Sequence, residues 1–174
     1  MNQVIKTLLS RQSVKKYKSD MVPEDLIAEI CKAGTFAPTG MNRQSPIIIA
    51  VTNRELRDRL SKMNADILGI SSDPFYGAPV VLVVLARKDS ATRVYDGSLV
   101  MANLQIAAHS LGLGSCWIHR AKEEFESADG QKILADLGIL GEYEGIGHCI
   151  VGYPAVDAYH VQSPRKPDYI TWAR

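Results

Sequence analysis

The chain has 174 residues, enough for one domain with a sizeable core, and its 46% hydrophobic and 22% charged residues are the composition of a globular protein. A formal net charge of +1 excludes the global field that would draw it to nucleic acid or to an anionic membrane. Three widely spaced cysteines, Cys31, Cys116 and Cys149, exclude a disulfide framework and point to a reducing cytoplasm, and MNQVIKTLLS lacks the apolar core and cleavage site of a signal peptide.

In chain order, Val4 to Leu9 reads as a short helix. The basic segment RQSVKKYKSD has no apolar period and reads as a loop or edge strand. Pro23 opens a helix, PEDLIAEICKAG, with Glu24 and Asp25 in the first turn where the macrodipole favours them. Leu26, Ile27, Ile30 and Ala33 form its apolar stripe, and Gly34 is expected to end it. Residues 36–46, FAPTGMNRQSP, are dense in turn formers. Ile47 to Val51 is a continuous apolar run, expected to be a buried strand. Asn53 is an N-cap for a helix over Arg54 to Met63, residues 66–77 look irregular, and Pro79 to Ala86 is a second buried strand.

The central stretch, Asp96 to His119, organises the rest. Leu99 to Leu111 is a helical run apolar on nearly every face, which predicts burial in a core or against a second copy of the chain. Gly112 and Gly114 break it, and Ser115 to Ile118 follow as a short strand. Helix, turn and strand together predict a rigid ledge forming one wall of a ligand site. Glu123 to Leu137 reads as helix, in two pieces broken at Asp129 and Gly130. Tyr143 to Tyr153 is a strand interrupted by glycines, and the final twenty residues, with Pro154, Pro164 and Pro167, form an extended arm. There is no βαβ ladder and no G-x-G-x-x-G after the first strand, which disfavours a Rossmann domain.

Self-sufficient catalytic motifs are absent: no H-E-x-x-H, C-x-x-C, G-x-S-x-G or Walker A occurs. His109, His119, His148 and His160 lack metal-ligand spacing, and His109 and His148 read as structural or surface residues. The cysteines read as small core hydrophobes, with Cys116, beside the ledge, the one placed to act as a redox thiol. If the chain is an enzyme, a cofactor carries the chemistry. Anion binding remains as a candidate function: Arg11, Ser13, Lys15 and Lys16 cluster near the start, and Arg165 and Lys166 lie in the arm. These residues equally suit two solvated basic patches, and Asn42 and Gln44 suit local turn caps.

Four segments occur in fixed order: RQSVKKY, FAPTGMNRQSP, the helix ending in GLGSCWI, and SPRKP. Their order over nearly the whole chain resembles the FMN-dependent nitroreductase family, in particular its short single-domain members. The resemblance implies an α+β fold with a central mixed sheet flanked by helices, a single domain over residues 1–174, and an intertwined homodimer with two FMN sites at its interface. The long central helix would pack at that interface, and residues 154–174 would reach over the partner subunit.

By the same resemblance, Arg11 and Ser13 hold the FMN phosphate and ribityl oxygens. Gln12 stands where the family often carries a second arginine, shifting the load toward Arg165 and Lys166. Lys15 matches the basic side chain near N1 and O2 of the flavin, where a cation stabilises negative charge as the ring is reduced. Pro38, Thr39, Gly40, Asn42 and Gln44 match the loop that covers the flavin from the other subunit. Ser45 and Pro46 replace the family's usual proline and tryptophan. Trp117, Ile118 and His119 match the ledge beside N5 and O4, with His119 in place of a frequent glycine. The implied activity is hydride transfer from NAD(P)H through FMN to a small organic acceptor such as a nitroaromatic or quinone. Two alternatives stay open: a family member dedicated to one metabolite, and a flavin-binding carrier or sensor without significant turnover.

Overall fold

The computed structural model describes residues 1–174, and the fold is built around the run Val80–Arg87, strand β2. Every residue of β2 except Arg87 is buried. Val80, Leu82, Val84 and Ala86 pack into one layer with Val100, Met101 and Leu104, while Val81, Val83 and Leu85 pack into the other with Leu60, Phe75 and Phe125. A strand covered on both faces needs no polar alternation, which is why this stretch is an unbroken apolar run.

Strands β1 (Pro46–Val51), β3 (Gly114–Ile118) and β4 (Tyr143–Gly152) complete one sheet in the order β1-β2-β4-β3. All three pairings are antiparallel, so the α+β architecture holds, and the sheet's mixed character reduces to one isolated parallel bridge, Ser13 to Ser115. A bulge between Val84 and Leu85 gives Ile146 of β4 no partner in β2.

Helices α2 (Glu24–Thr35) and α4 (Arg93–Ser110) cover one face, and α3 (Arg54–Leu68), α5 (Ala121–Glu126) and α6 (Ala128–Asp136) the other, while α1 (Gln3–Ser10) lies against α4. Four expected boundaries move. Gly34 does not end α2: it is an interior contact, where a Cβ would stand 2.7 Å from Leu104 Cδ2, so only glycine lets α2 approach α4 this closely. Helix α3 runs on to Leu68 and closes at Gly69 in the left-handed region. The α5–α6 break falls at Ser127 and not at Asp129–Gly130, because the Ser127 hydroxyl accepts from Gly130 N at 3.1 Å and caps α6. Helix α4 begins at Arg93, six residues before Leu99, so its first turns carry Val94, Tyr95 and Asp96.

Only one side of α4 is covered within the chain. Val100, Met101, Leu104 and Ala108 are buried, whereas Val94, Tyr95 and Leu99 remain 46%, 73% and 44% exposed. Val4, Ile5, Leu8 and Leu9 of α1 are also exposed. Beyond Tyr153 the chain forms no helix or strand, and residues 159–174 are exposed throughout. No helix is long and apolar enough to cross a membrane.

Candidate functional site

The basic cluster sits where α1 ends. Arg11 follows the last turn as its C-cap, and its backbone N–H returns to Thr7 O at 3.0 Å. The next residues cross to β3, where Ser13 bridges Ser115 and Val14 N donates to Ser115 O at 2.9 Å. Arg11, Gln12, Ser13, Lys15 and Arg165 line a cavity of about 380 Å³. Of the residues that line it, Arg11 has a polar atom, Nη1, that is buried without a partner. Unpaired buried polar groups are rare and costly, which makes Arg11 a candidate ligand contact.

Gln12, Lys16 and Lys166 are engaged within the chain. Gln12 Oε1 accepts from His160 N at 3.0 Å, and Gln162 Nε2 donates to Leu9 O and Ser10 O at 2.9 and 3.1 Å, so residues 160–162 of the arm lie over the end of their own α1. Lys16 pairs with Asp157. Lys166 lies outside the cavity lining, its ammonium 5.6 Å from the Tyr169 ring. His109, at the end of α4, meets Ser10 Oγ at 2.8 Å through Nε2, and burial, with Arg11's charge added, pushes its pKa down.

Ser13 and Lys15 also belong to an adjoining cleft of about 430 Å³, walled by Trp117, Ile118, His119 and Tyr76. This is the ledge expected from the sequence. Gly147 of β4 makes it possible, because a Cβ there would stand 2.4 Å from Trp117 Nε1. The Lys15 ammonium lies 5.6 Å from the Tyr76 ring centroid. Asp73 lines the same cleft, yet its oxygens are fully used by Arg57, Ser61, Phe75 N and Gly77 N. Burial alone would raise its pKa, but those four donors outweigh it and hold the carboxyl below its usual range. Cys116 also lines the cleft, but burial pushes its thiol pKa up against the opposing pull of Ser13, Lys15 and Arg11. That shift favours the protonated thiol over the reactive thiolate.

Pro38, Thr39, Gly40, Asn42 and Gln44 lie elsewhere. Gly40–Asn42 form a single 3-10 turn, and Met41, Asn42 and Gln44 all adopt positive φ, at 51°, 53° and 49°. Non-glycine residues held this way are strained, and such strain gathers at functional loops. The loop is held by its own groups: Gln44 N donates to Thr39 Oγ1 at 3.0 Å, and Gln44 Nε2 to Asn42 Oδ1 at 3.2 Å. It is anchored by Asp96, which accepts from Gly40 N at 3.0 Å, Thr92 Oγ1 at 2.8 Å and the buried Ser45 Oγ at 3.5 Å.

Asp96 is in the first turn of α4, and His109, beside the anion cavity, is in the last. Thirteen residues separate them, about 20 Å along the helix axis. One chain thus brings together Arg11, Gln12, Ser13, Lys15, Arg165, Trp117, Ile118 and His119, and keeps residues 38–44 at the other end of the helix.

Several residues of the site carry no signal in the sequence. Asp96 reads only as the start of the central stretch, and its role as the loop's anchor comes from a contact 56 residues away in sequence. Tyr76 lies in the segment expected to be irregular, Asn64 falls just past the expected end of its helix at Met63, and Arg120 just past the expected strand. Turn chemistry reveals the 38–44 loop, but long-range hydrogen bonds do not show in local pattern.

Fold and site define an antiparallel α+β domain with a basic pocket opening onto an aromatic cleft. The sequence profile of the nitroreductase family matches residues 8–153, and the chain belongs to that family. It is similar to a protein of Methanothermobacter thermautotrophicus provisionally named as an NADH dehydrogenase/NAD(P)H nitroreductase, 31% identical over 66% of this chain and 59% of that protein. A protein of Archaeoglobus fulgidus with the same provisional name is 28% identical over 98% of this chain and 97% of its own length. Among solved structures, a Bacteroides fragilis nitroreductase with bound FMN superposes with a TM-score of 0.89 at 27% identity, covering 100% of both chains.

Proposed function

We propose that this chain is an FMN-dependent oxidoreductase that passes hydride from NAD(P)H to a small organic acceptor such as a nitroaromatic or quinone. The observation that carries this reading is Arg11, which lines a basic cavity and whose Nη1 is buried with no partner. A phosphate is the group that satisfies such a guanidinium. Ser13, Lys15 and Arg165, which line the same cavity, complete a donor set suited to phosphate and ribityl oxygens. The adjoining cleft, with Trp117, Ile118 and Tyr76, suits a planar ring. FMN, when bound, supplies the hydride-accepting and hydride-donating chemistry. The protein's residues position the ring and exclude water, and Lys15, common to both cavities, adds positive charge that favours a reduced, anionic ring.

The acting form in this proposal is a homodimer. The exposed apolar face of α4 and the exposed apolar residues of α1 support it, since a continuous patch of that kind marks an interface. A second copy, related by a two-fold axis, could supply its own residues 38–44 to the cleft that this chain cannot reach with that loop. Residues 166–174, beyond the Arg165 of the cavity lining, are exposed and free to extend onto that copy. Three free thiols support the cytoplasm as the setting.

The test is the visible absorption spectrum of the purified protein, before and after anaerobic addition of NADH or NADPH. A flavin spectrum that bleaches is expected. A flavin spectrum that persists with both nucleotides favours the carrier reading, and no flavin after incubation with FMN refutes the proposal.

A further inference from the structure

Arg120 stands at the rim of the ledge in a conformation that the local fold does not favour. Its φ and ψ are 77° and 6°, the left-handed region that glycine occupies without strain. Its side chain is nonetheless held in place. Arg120 Nε donates to Asn64 Oδ1 at 2.9 Å, and Asn64 is fully buried. The Asn64 amide nitrogen is in turn bonded to His119 O at 2.8 Å and to Oε1 of the fully buried Glu124. This uses one of the guanidinium's five donors, so the stem is fixed while Nη1 and Nη2 make no hydrogen bond within the chain.

No carboxylate of the chain pairs with Arg120 directly, and Glu124 meets it only through Asn64. The cleft that Arg120 lines holds one acid, Asp73, whose oxygens already accept four hydrogen bonds. Its remaining fixed charge is Lys15, also a cation. The cleft therefore presents two cations and no free acid, beside apolar walls from Leu68, Ile70 and Trp117. A half-buried arginine whose fork has no partner favours a planar oxyanion that can bond it twice.

We propose that Arg120 is a specificity-determining residue that receives the carboxylate of the electron acceptor, so that the preferred acceptors are small aromatic acids. This rests on the FMN-dependent reading above, which commits Lys15 to the cofactor and leaves Arg120 for the acceptor. The same oxyanion chemistry is available from a phosphate of the nicotinamide donor, and the test separates the two sources.

The probes are 4-nitrobenzoate and the isosteric neutral 4-nitrobenzamide. Their dissociation constants are measured by calorimetry on the flavin-loaded protein, for wild type, R120Q and R120K. Wild type is expected to bind the acid about tenfold more tightly than the amide, the increment of a charge-assisted hydrogen-bond pair. R120Q is expected to abolish that preference, and R120K to retain part of it. Equal affinities in wild type, or a preference that survives in R120Q, would overturn the proposal. So would a raised KM for NADPH in R120Q with the acid preference intact, which assigns the anion to the donor. Melting curves check the variants, and if R120Q fails to fold, R120K decides the matter: an acid preference unchanged from wild type would overturn the proposal, since lysine lacks the planar fork. Failure of the underlying reading looks different: the purified wild type would take up no flavin in a spectroscopic titration, and the acid-to-amide ratio would then be read on the flavin-free protein.

Discussion

His148 Nε2 lies 3.1 Å from Glu124 Oε2, and neither residue has exposed surface. The two groups are close without the alignment of a hydrogen bond, and His148 Nδ1 has no partner either. Phe75 and Phe125 flank the imidazole at centroid distances of 5.2 and 6.5 Å. Through Glu124 Oε1 and Asn64 the contact continues to the carbonyl of His119, so a buried polar chain runs from β4 to the ledge.

Breaking this chain at one end leaves the other end buried and unpaired. Glu124→Leu should destabilise the protein by about 1–3 kcal/mol, the cost of taking a hydrogen-bond partner from a buried polar group, here the amide of Asn64. Adding His148→Phe should recover part of that loss, because the double variant leaves no buried imidazole without a partner. Urea unfolding of both single variants and the double variant measures the coupling. Additive effects would contradict it.

Arg11→Ala separates binding from folding. Loss of a charge-assisted contact to phosphate is worth roughly 1.5–3 kcal/mol, so FMN affinity should fall by about one to two orders of magnitude. The flavin-free protein should lose little stability, because Arg11 Nη1 makes no bond within the chain. Flavin fluorescence titration and the flavin-free melting temperature read the two effects. Unchanged FMN affinity would refute the phosphate assignment.

Leu99, 44% exposed on α4, lies on the face assigned to the second copy. Leu99→Asp places a charge in that interface and should convert the protein to monomer. FMN should be lost with the dimer, since residues 38–44 then remain at the far end of α4. Sedimentation and the flavin-to-protein absorbance ratio test both halves. A monomeric variant with full flavin content would show that one chain suffices.

His109 predicts a pH dependence with a definite sign. Its folded pKa lies below the ordinary value of 6.5, through burial first and Arg11 second. Below that unfolded value the unfolded chain binds more protons than the folded one, so stability rises with pH across the window. The contribution is fully present above about pH 6.5 and declines as pH falls through the window toward the folded pKa. His109→Gln, which can still meet Ser10, should show a smaller drop in melting temperature between about pH 7.5 and about pH 5 than wild type. An equal drop would place the pH dependence elsewhere.

The sequence by itself determined the elements and much of one pocket. The apolar run of β2, the Asn53 cap of α3, the turn-dense 36–46 segment and the ledge at Trp117 follow from period, capping and turn chemistry, which act over a few residues. Arg11, Ser13 and Lys15 were visible together because they are neighbours in the chain. Tertiary structure alone decided what is distant in sequence: the anchoring of Gly40 by Asp96, the fixing of Arg120 by Asn64, and the place of Gly34 against Leu104. It also decided that α4, apolar nearly all round, covers only one of its sides within a chain. Local pattern records which residues seek burial, but only the packed chain shows which faces are left for something else to bury.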